Sequence, residues 1–167
     1  MTAASAADAR VLESRCARRL LRGTLLVSGA VALPLVANAL VHRRAAPLPA
    51  PRWGRSHRWA WDLGAVAFQE LGDGPALVLL HSLGPGHHGA QWLPAAERLA
   101  GAHRIYVPDL LGWGRSDKPR IAYRPDLYLD LLDDFLAEVV GEPAIVAAAG
   151  STAPYAVRLA AESPRQV

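Results

Sequence analysis

With 167 residues the chain has room for one domain of ordinary size, and a hydrophobic fraction of 51% beside 20% charged residues argues for a packed core and against disorder. Its net charge of +3 is unevenly placed: ten arginines against Asp8 and Glu13 leave residues 1–60 eight units positive, whereas eight basic and thirteen acidic side chains leave residues 61–167 five units negative. A body that binds nucleic acid carries positive charge where it can track phosphates, so an acidic body speaks against nucleic acid as a partner. The lone Cys16 excludes an intramolecular disulfide and a cysteine-built metal site.

Residues 24–41, TLLVSGAVALPLVANALV, hold no charged side chain and are flanked by Arg15, Arg18, Arg19 and Arg22 on one side and Arg43 and Arg44 on the other. At ~1.5 Å per residue such a segment just spans the ~30 Å hydrocarbon layer, which suits a single-pass N-terminal membrane anchor in contact with lipid. Ala37-Asn38-Ala39 has the small-x-small form of a signal-peptide cleavage site, so secretion through a signal peptide is the alternative. The arginine pair directly after the apolar run favours the anchor. Residues 1–44 are thus expected to be a basic N-terminus with a hydrophobic transmembrane or signal-like helix, and residues 45–57, rich in Pro and Arg, a linker. Trp53, Trp59 and Trp61 interleave with arginines. That mixture suits a membrane interface, and equally a first strand on which Trp59 and Trp61 alternate inward.

From residue 58 onward strand and helix patterns alternate. Residues 58–62 and 65–70 read as strands around Gly64, and 76–80, ALVLL, is an all-apolar run of the kind buried on both faces of a sheet. A helix is expected at 90–100, a strand at 104–107, a helix at 126–140 with apolar residues at helical spacing, a strand at 144–148 and a helix at 153–162. This order predicts an α/β class with a mostly parallel sheet of about five strands and flanking helices.

Three stretches fall at the carboxyl ends of these strands. The first is His81-Ser82-Leu83-Gly84, leading to Gln91-Trp92. The second runs from Tyr106 through Asp109, Gly112, Gly114 and Asp117 to Pro119. A dinucleotide-binding reading of Gly112 and Gly114 fails, because the third glycine of that fingerprint would fall on Asp117. The third is Ala148-Ala149-Gly150-Ser151-Thr152-Ala153. Together they resemble the α/β-hydrolase fold family, over residues 58–167.

That resemblance implies the N-terminal part of a hydrolase domain. The chain stops at Val167, where the resemblance places the start of a sixth strand. It implies that Leu83 N–H is one donor of an oxyanion hole, with Ser82 standing where the family mostly has Gly. It also implies structural roles for Asp109 and Asp117 in the glycine-bearing loop. The family's G-x-S-x-G turn pushes a nucleophilic serine into the open between strand and helix. Counting from Glu142-Pro143 and back from Ser163-Pro164 puts Gly150, which has no side chain, at the nucleophile's place, with Ser151 as the second oxyanion donor. A slip of one residue makes Ser151 the nucleophile, flanked by Ala149 and Ala153; the Gly150 register is preferred because the slip needs a compensating insertion and deletion.

The family's acid and His follow the nucleophile in sequence, and no His follows His103. No cofactor is expected. Nor is a metal, because His87 and His88 are adjacent in a glycine-rich loop and lack the spacing of a zinc helix. The expectation is a membrane-associated protein of hydrolase lineage, of ester-like acyl-transfer type, with an incomplete or degenerate active site that takes small apolar or ester-like ligands. The alternatives are a non-catalytic binding or scaffold protein and a truncated product without independent activity.

Overall fold

The computed structural model describes residues 36–37, 39–40 and 51–167. The chain divides into two units, Met1–Pro47 and Leu48–Val167. The apolar segment expected to insert into a membrane lies outside the described residues, except for four that are helical and exposed. No helix among the described residues is long and apolar enough to cross a membrane.

Residues Leu48–Val167 build one sheet of five strands: β1 (Arg55–Trp61), β2 (Gly64–Leu71), β3 (Ala76–Leu80), β4 (Arg104–Pro108) and β5 (Ala144–Ala148). Strand β1 begins three residues before the boundary expected at 58, because Arg55, Ser56 and His57 pair in register with Glu70, Gln69 and Phe68. The Arg55 and Arg104 guanidiniums lie 3.3 and 2.6 Å from the Glu70 carboxylate, which pairs this buried acid.

The spatial order is β1-β2-β4-β3-β5. Pairings β1/β2 and β2/β4 are antiparallel, and β3/β4 and β3/β5 are parallel. The mostly parallel sheet expected from the alternation is thus a mixed one, in which β2 alone runs against the other four strands. The reason is connection length. Only Asp62 and Leu63 separate the paired ends of β1 and β2, and four residues join β2 to β3, too few to carry the chain back along the sheet as a parallel connection requires. Strand β3 must therefore run opposite to β2, and β4, parallel to β3, inherits that opposition where it meets β2.

Three helices cover the sheet: α1 (Leu93–Leu99), entered by a 3₁₀ turn at Gly89–Trp92; α2 (Pro125–Asp134), continued by a π-helical stretch at Phe135–Val140; and α3 (Ala153–Glu162), entered by a 3₁₀ turn at Gly150–Thr152. The single helix expected at 126–140 thus widens in its second half. Gly141, with φ +68, closes it by donating its N–H to the Leu136 carbonyl at 2.9 Å.

The all-apolar strands bury alternate residues on opposite faces. Ala76, Val78, Leu80 and Tyr106 join α2 and α3 in one core, while Leu77, Leu79, Ile105 and Val107 meet Ala96 of α1 in the other. Trp59 and Trp61 lie on β1 and pack against the first core, where the Trp59 ring meets Phe135 edge-on at 5.7 Å. Their indole N–H groups donate to Glu138 and Asp134. This layering brings the carboxyl ends of β3, β4 and β5, with their three loops, to the same end of the sheet.

Candidate functional site

Strand β5 pairs directly with β3, residue for residue from Ala76 with Ala144 to Leu80 with Ala148. Whatever follows Leu80 therefore lies beside whatever follows Ala148. After β5 the chain stays extended at Ala149 (φ −110, ψ 133), turns at Gly150 with φ +60, and enters the 3₁₀ turn that starts α3. A left-handed φ strains any residue with a Cβ, and glycine takes it freely. Gly150 and Ser151 are both exposed.

Four of the expected residues converge here: Ser82, Leu83, Gly150 and Ser151. The Leu83 N–H donates to Ser151 Oγ at 2.8 Å, and the Ser151 N–H donates to Ser82 Oγ at 3.2 Å. The two hydroxyl oxygens are 3.0 Å apart, and the Ser151 hydroxyl donates to the Leu83 carbonyl at 3.2 Å. The partners of these hydroxyls are each other and backbone; no histidine or carboxylate is among them. Among the described residues, no proton acceptor of the kind that activates a serine therefore touches either oxygen.

His81 lies beneath this corner, fully buried. Its Nδ1 is 2.8 Å from the Ser82 carbonyl, which can only accept, and its Nε2 is 2.9 Å from the Leu110 N–H, which can only donate. The ring is thus the neutral tautomer with its proton on Nδ1. Burial lowers its pKa, outweighing the opposing pull of the Ser82 carbonyl and of Asp109. His81 ties the end of β3 to the loop after β4.

In that loop the Asp109 carboxylate accepts the Gly89 N–H at 2.6 Å and the Arg115 N–H at 2.9 Å. Ser116 Oγ donates to the Asp109 carbonyl and accepts the Ala67 N–H at 2.8 Å. Asp117 accepts the Ala65 N–H at 2.9 Å and the Arg58 guanidinium at 2.7 Å, and the Ala65 bond leads in holding its carboxyl below the ordinary range. Both acids bond backbone, and neither meets the Ser82–Ser151 hydroxyls. Gly112 and Gly114, with φ +89 and +49, let this loop fold back on itself. Gly84 closes a turn by accepting the His87 N–H at 3.1 Å, and Trp92 packs against the α1-side core, away from the corner.

Thr152 carries a role not anticipated in the sequence. It is fully buried, with its hydroxyl 2.9 Å from the Ala149 carbonyl and 3.1 Å from that of His81, stitching the turn after β5 to the end of β3. The available signal was a hydroxyl where close packing of strand and helix calls for a small residue.

Among the described residues, no group of three or more His, Cys, Asp or Glu is arranged to hold a metal ion. An open cleft of about 670 Å³ is lined by Trp61, Leu63, Arg124 and several aspartates, and shares no residue with the Ser82–Ser151 corner.

A family model described as "alpha/beta hydrolase family" matches residues 77–165. Among curated proteins, an uncharacterized protein of Mycobacterium tuberculosis is 38% identical over 71 residues, covering 42% of this chain and 20% of that protein. A pimeloyl-[acyl-carrier protein] methyl ester esterase of Aeromonas salmonicida is 44% identical over 52 residues, covering 31% of this chain and 20% of the esterase. Of solved structures, an E-2-(acetamidomethylene)succinate hydrolase superimposes with TM-score 0.62 at 26% identity, over 68% of this chain and 41% of that one. A haloalkane dehalogenase loop variant from Bradyrhizobium elkanii also gives 0.62, at 30% identity, over 68% and 37%. The chain spans about a fifth of the length of these curated relatives and about two fifths of these solved structures.

Proposed function

The chain belongs to the alpha/beta hydrolase family, and from that premise we propose a membrane-associated protein of hydrolase lineage whose acyl-transfer corner is degenerate. In this reading Gly150 stands at the nucleophile's position, Leu83 and Ser151 supply the two oxyanion amides, and the corner receives a small apolar or ester-like ligand. The observation that carries the reading is the backbone of Gly150, which takes the turn between β5 and α3 at φ +60. A G-x-S-x-G turn holds its nucleophile in a strained conformation at that junction, so the residue there is the one whose side chain would attack. Glycine has none.

The curated relatives include one named as an esterase and one named as a 2-hydroxymuconate semialdehyde hydrolase. The first of these names supports the ester-like ligand class. Ser151, one residue beyond the apex, is the competing nucleophile. It is bonded to Leu83 and Ser82, with no base in contact among the described residues. Incubating the full chain with an active-site-directed fluorophosphonate should give no covalent adduct by mass spectrometry. Stoichiometric labelling that disappears in Ser151→Ala would overturn the assignment of Gly150.

Membrane association rests on the uncharged run at 24–41 with its flanking arginines. The full chain should stay with membranes through an alkaline carbonate wash, and its release into the wash would remove the anchor from this proposal.

A further inference from the structure

The corner between β3 and β5 contains an exchange that neither segment reveals alone. An ideal Cβ placed on Gly150 would stand 2.7 Å from Ser82 Oγ and 3.2 Å from Ser82 Cβ. The first separation is closer than real Cβ contacts come and the second is tighter than most of them, so a side chain at 150 and the side chain of Ser82 crowd one space and Ser82 must shift to admit it. Ser82 has the hydroxyl where the neighbouring turn has lost its side chain.

The hydrogen bonds tie that hydroxyl to the turn. The Ser82 and Ser151 hydroxyls share a bond at 3.0 Å in which either oxygen can donate, and Ser82 Oγ accepts the Ser151 N–H at 3.2 Å. The Leu83 N–H completes the ring on Ser151 Oγ. Both backbone amides that point into the corner therefore end on oxygen atoms belonging to the chain itself. A ligand oxygen that approached them would have to displace a hydroxyl from each.

We propose that Ser82 is the specificity-determining residue of this corner: its side chain takes the space that a residue-150 side chain would need, and its hydroxyl occupies the Ser151 amide, closing the corner to tetrahedral oxyanions. Loss of the Ser82 side chain opens it; adding a side chain at 150 alone does not. The functional half of this inference rests on the assignment of Gly150 made above, whereas the steric half stands independently of it.

Two measurements on the full chain test it. The first is a double-mutant cycle between Ser82→Gly and Gly150→Ala, read by urea unfolding, with alanine adding only the Cβ. The left-handed φ burdens Gly150→Ala in either background, so that strain cancels, and only the encounter with Ser82 remains as coupling. Gly150→Ala should weaken the folding equilibrium at least about fivefold more in the wild-type background than in the Ser82→Gly background; coupling below about twofold overturns the exchange. Ser82→Ala keeps the Cβ and removes the oxygen, and gives an intermediate coupling.

The second measurement follows the Leu83 and Ser151 amides by NMR during titration with phenylphosphonate, a ready-made tetrahedral oxyanion. The Ser82→Gly protein should show saturable shifts at the Ser151 amide with an affinity at least about tenfold above wild type, because that amide has been freed while the Leu83 amide stays on Ser151 Oγ. Should Ser82→Gly prove unstable, Ser82→Ala frees the same amide and serves in its place. Equal binding by wild type and variant, or binding by neither, overturns the proposal. Fluorophosphonate labelling of Ser151 would sink the assignment of Gly150 and leave the Ser82–Gly150 coupling untouched.

Discussion

His81 shows how a residue in a catalytic-looking motif can be committed to architecture. Both ring nitrogens are used, one toward the Ser82 carbonyl and one toward the Leu110 N–H, and burial lowers its pKa. Protonating Nε2 would remove the acceptor that the Leu110 amide needs. The unfolded chain, with His near its ordinary pKa of about 6.5, takes up that proton first as pH falls, so stability declines from about pH 6.5 downward and levels only below the depressed folded value. A single such group contributes a slope of up to about 1.4 kcal/mol per pH unit. Urea midpoints measured between pH 7 and pH 5 should fall for wild type, and His81→Gln should flatten that part of the curve. An unchanged slope in the variant would place the titrating group elsewhere. His81, Ser82 and Leu83 were legible as a strand-end motif because their order is local. That Ser82 lies against Gly150 and Ser151 was not legible, since these residues are about seventy positions apart and only the β3/β5 register unites them.

At the scale of elements, β5 stands at the end of the sheet among the described residues and pairs there with β3. On its other side the Ala144 N–H donates to the Gln166 carbonyl at 2.7 Å. Val146 packs with the α2/α3 core, while Ile145, on the opposite face, is 58% exposed because α1 packs over β3 and β4 and does not reach it. An apolar edge of this kind templates association. Ile145→Lys should therefore reduce light scattering and hydrophobic-dye binding with a stability change within about 0.5 kcal/mol, as for other surface substitutions. Equal dye binding by variant and wild type would locate the sticky surface elsewhere. The apolar run at 144–148 was readable as a strand, but its place at the edge was not, because a run of small apolar residues looks the same in the middle of a sheet and at its margin.

Across the whole molecule, the larger core is organised around Phe135, fully buried where α2 passes into its π-helical stretch. Its ring meets Phe68, Tyr106 and Trp59 edge-on at 5.4, 6.4 and 5.7 Å, so one side chain joins β1, β2 and β4 to the helical layer. Phe135→Ala should cost about 3–5 kcal/mol, read as a lowered urea midpoint, and a loss below about 1 kcal/mol would show that the layers are held together by other contacts. Helix and strand positions, the α/β class and the absence of a side chain at residue 150 follow from the amino-acid sequence alone. Periodicity, turn residues and residue identity are properties of short windows. The mixed strand directions, the edge position of β5 and the meeting of Ser82 with Gly150 and Ser151 were decided by tertiary structure. Each depends on which segments become neighbours, and that is set by connection lengths and by burial of both sheet faces at once, quantities that no single window contains.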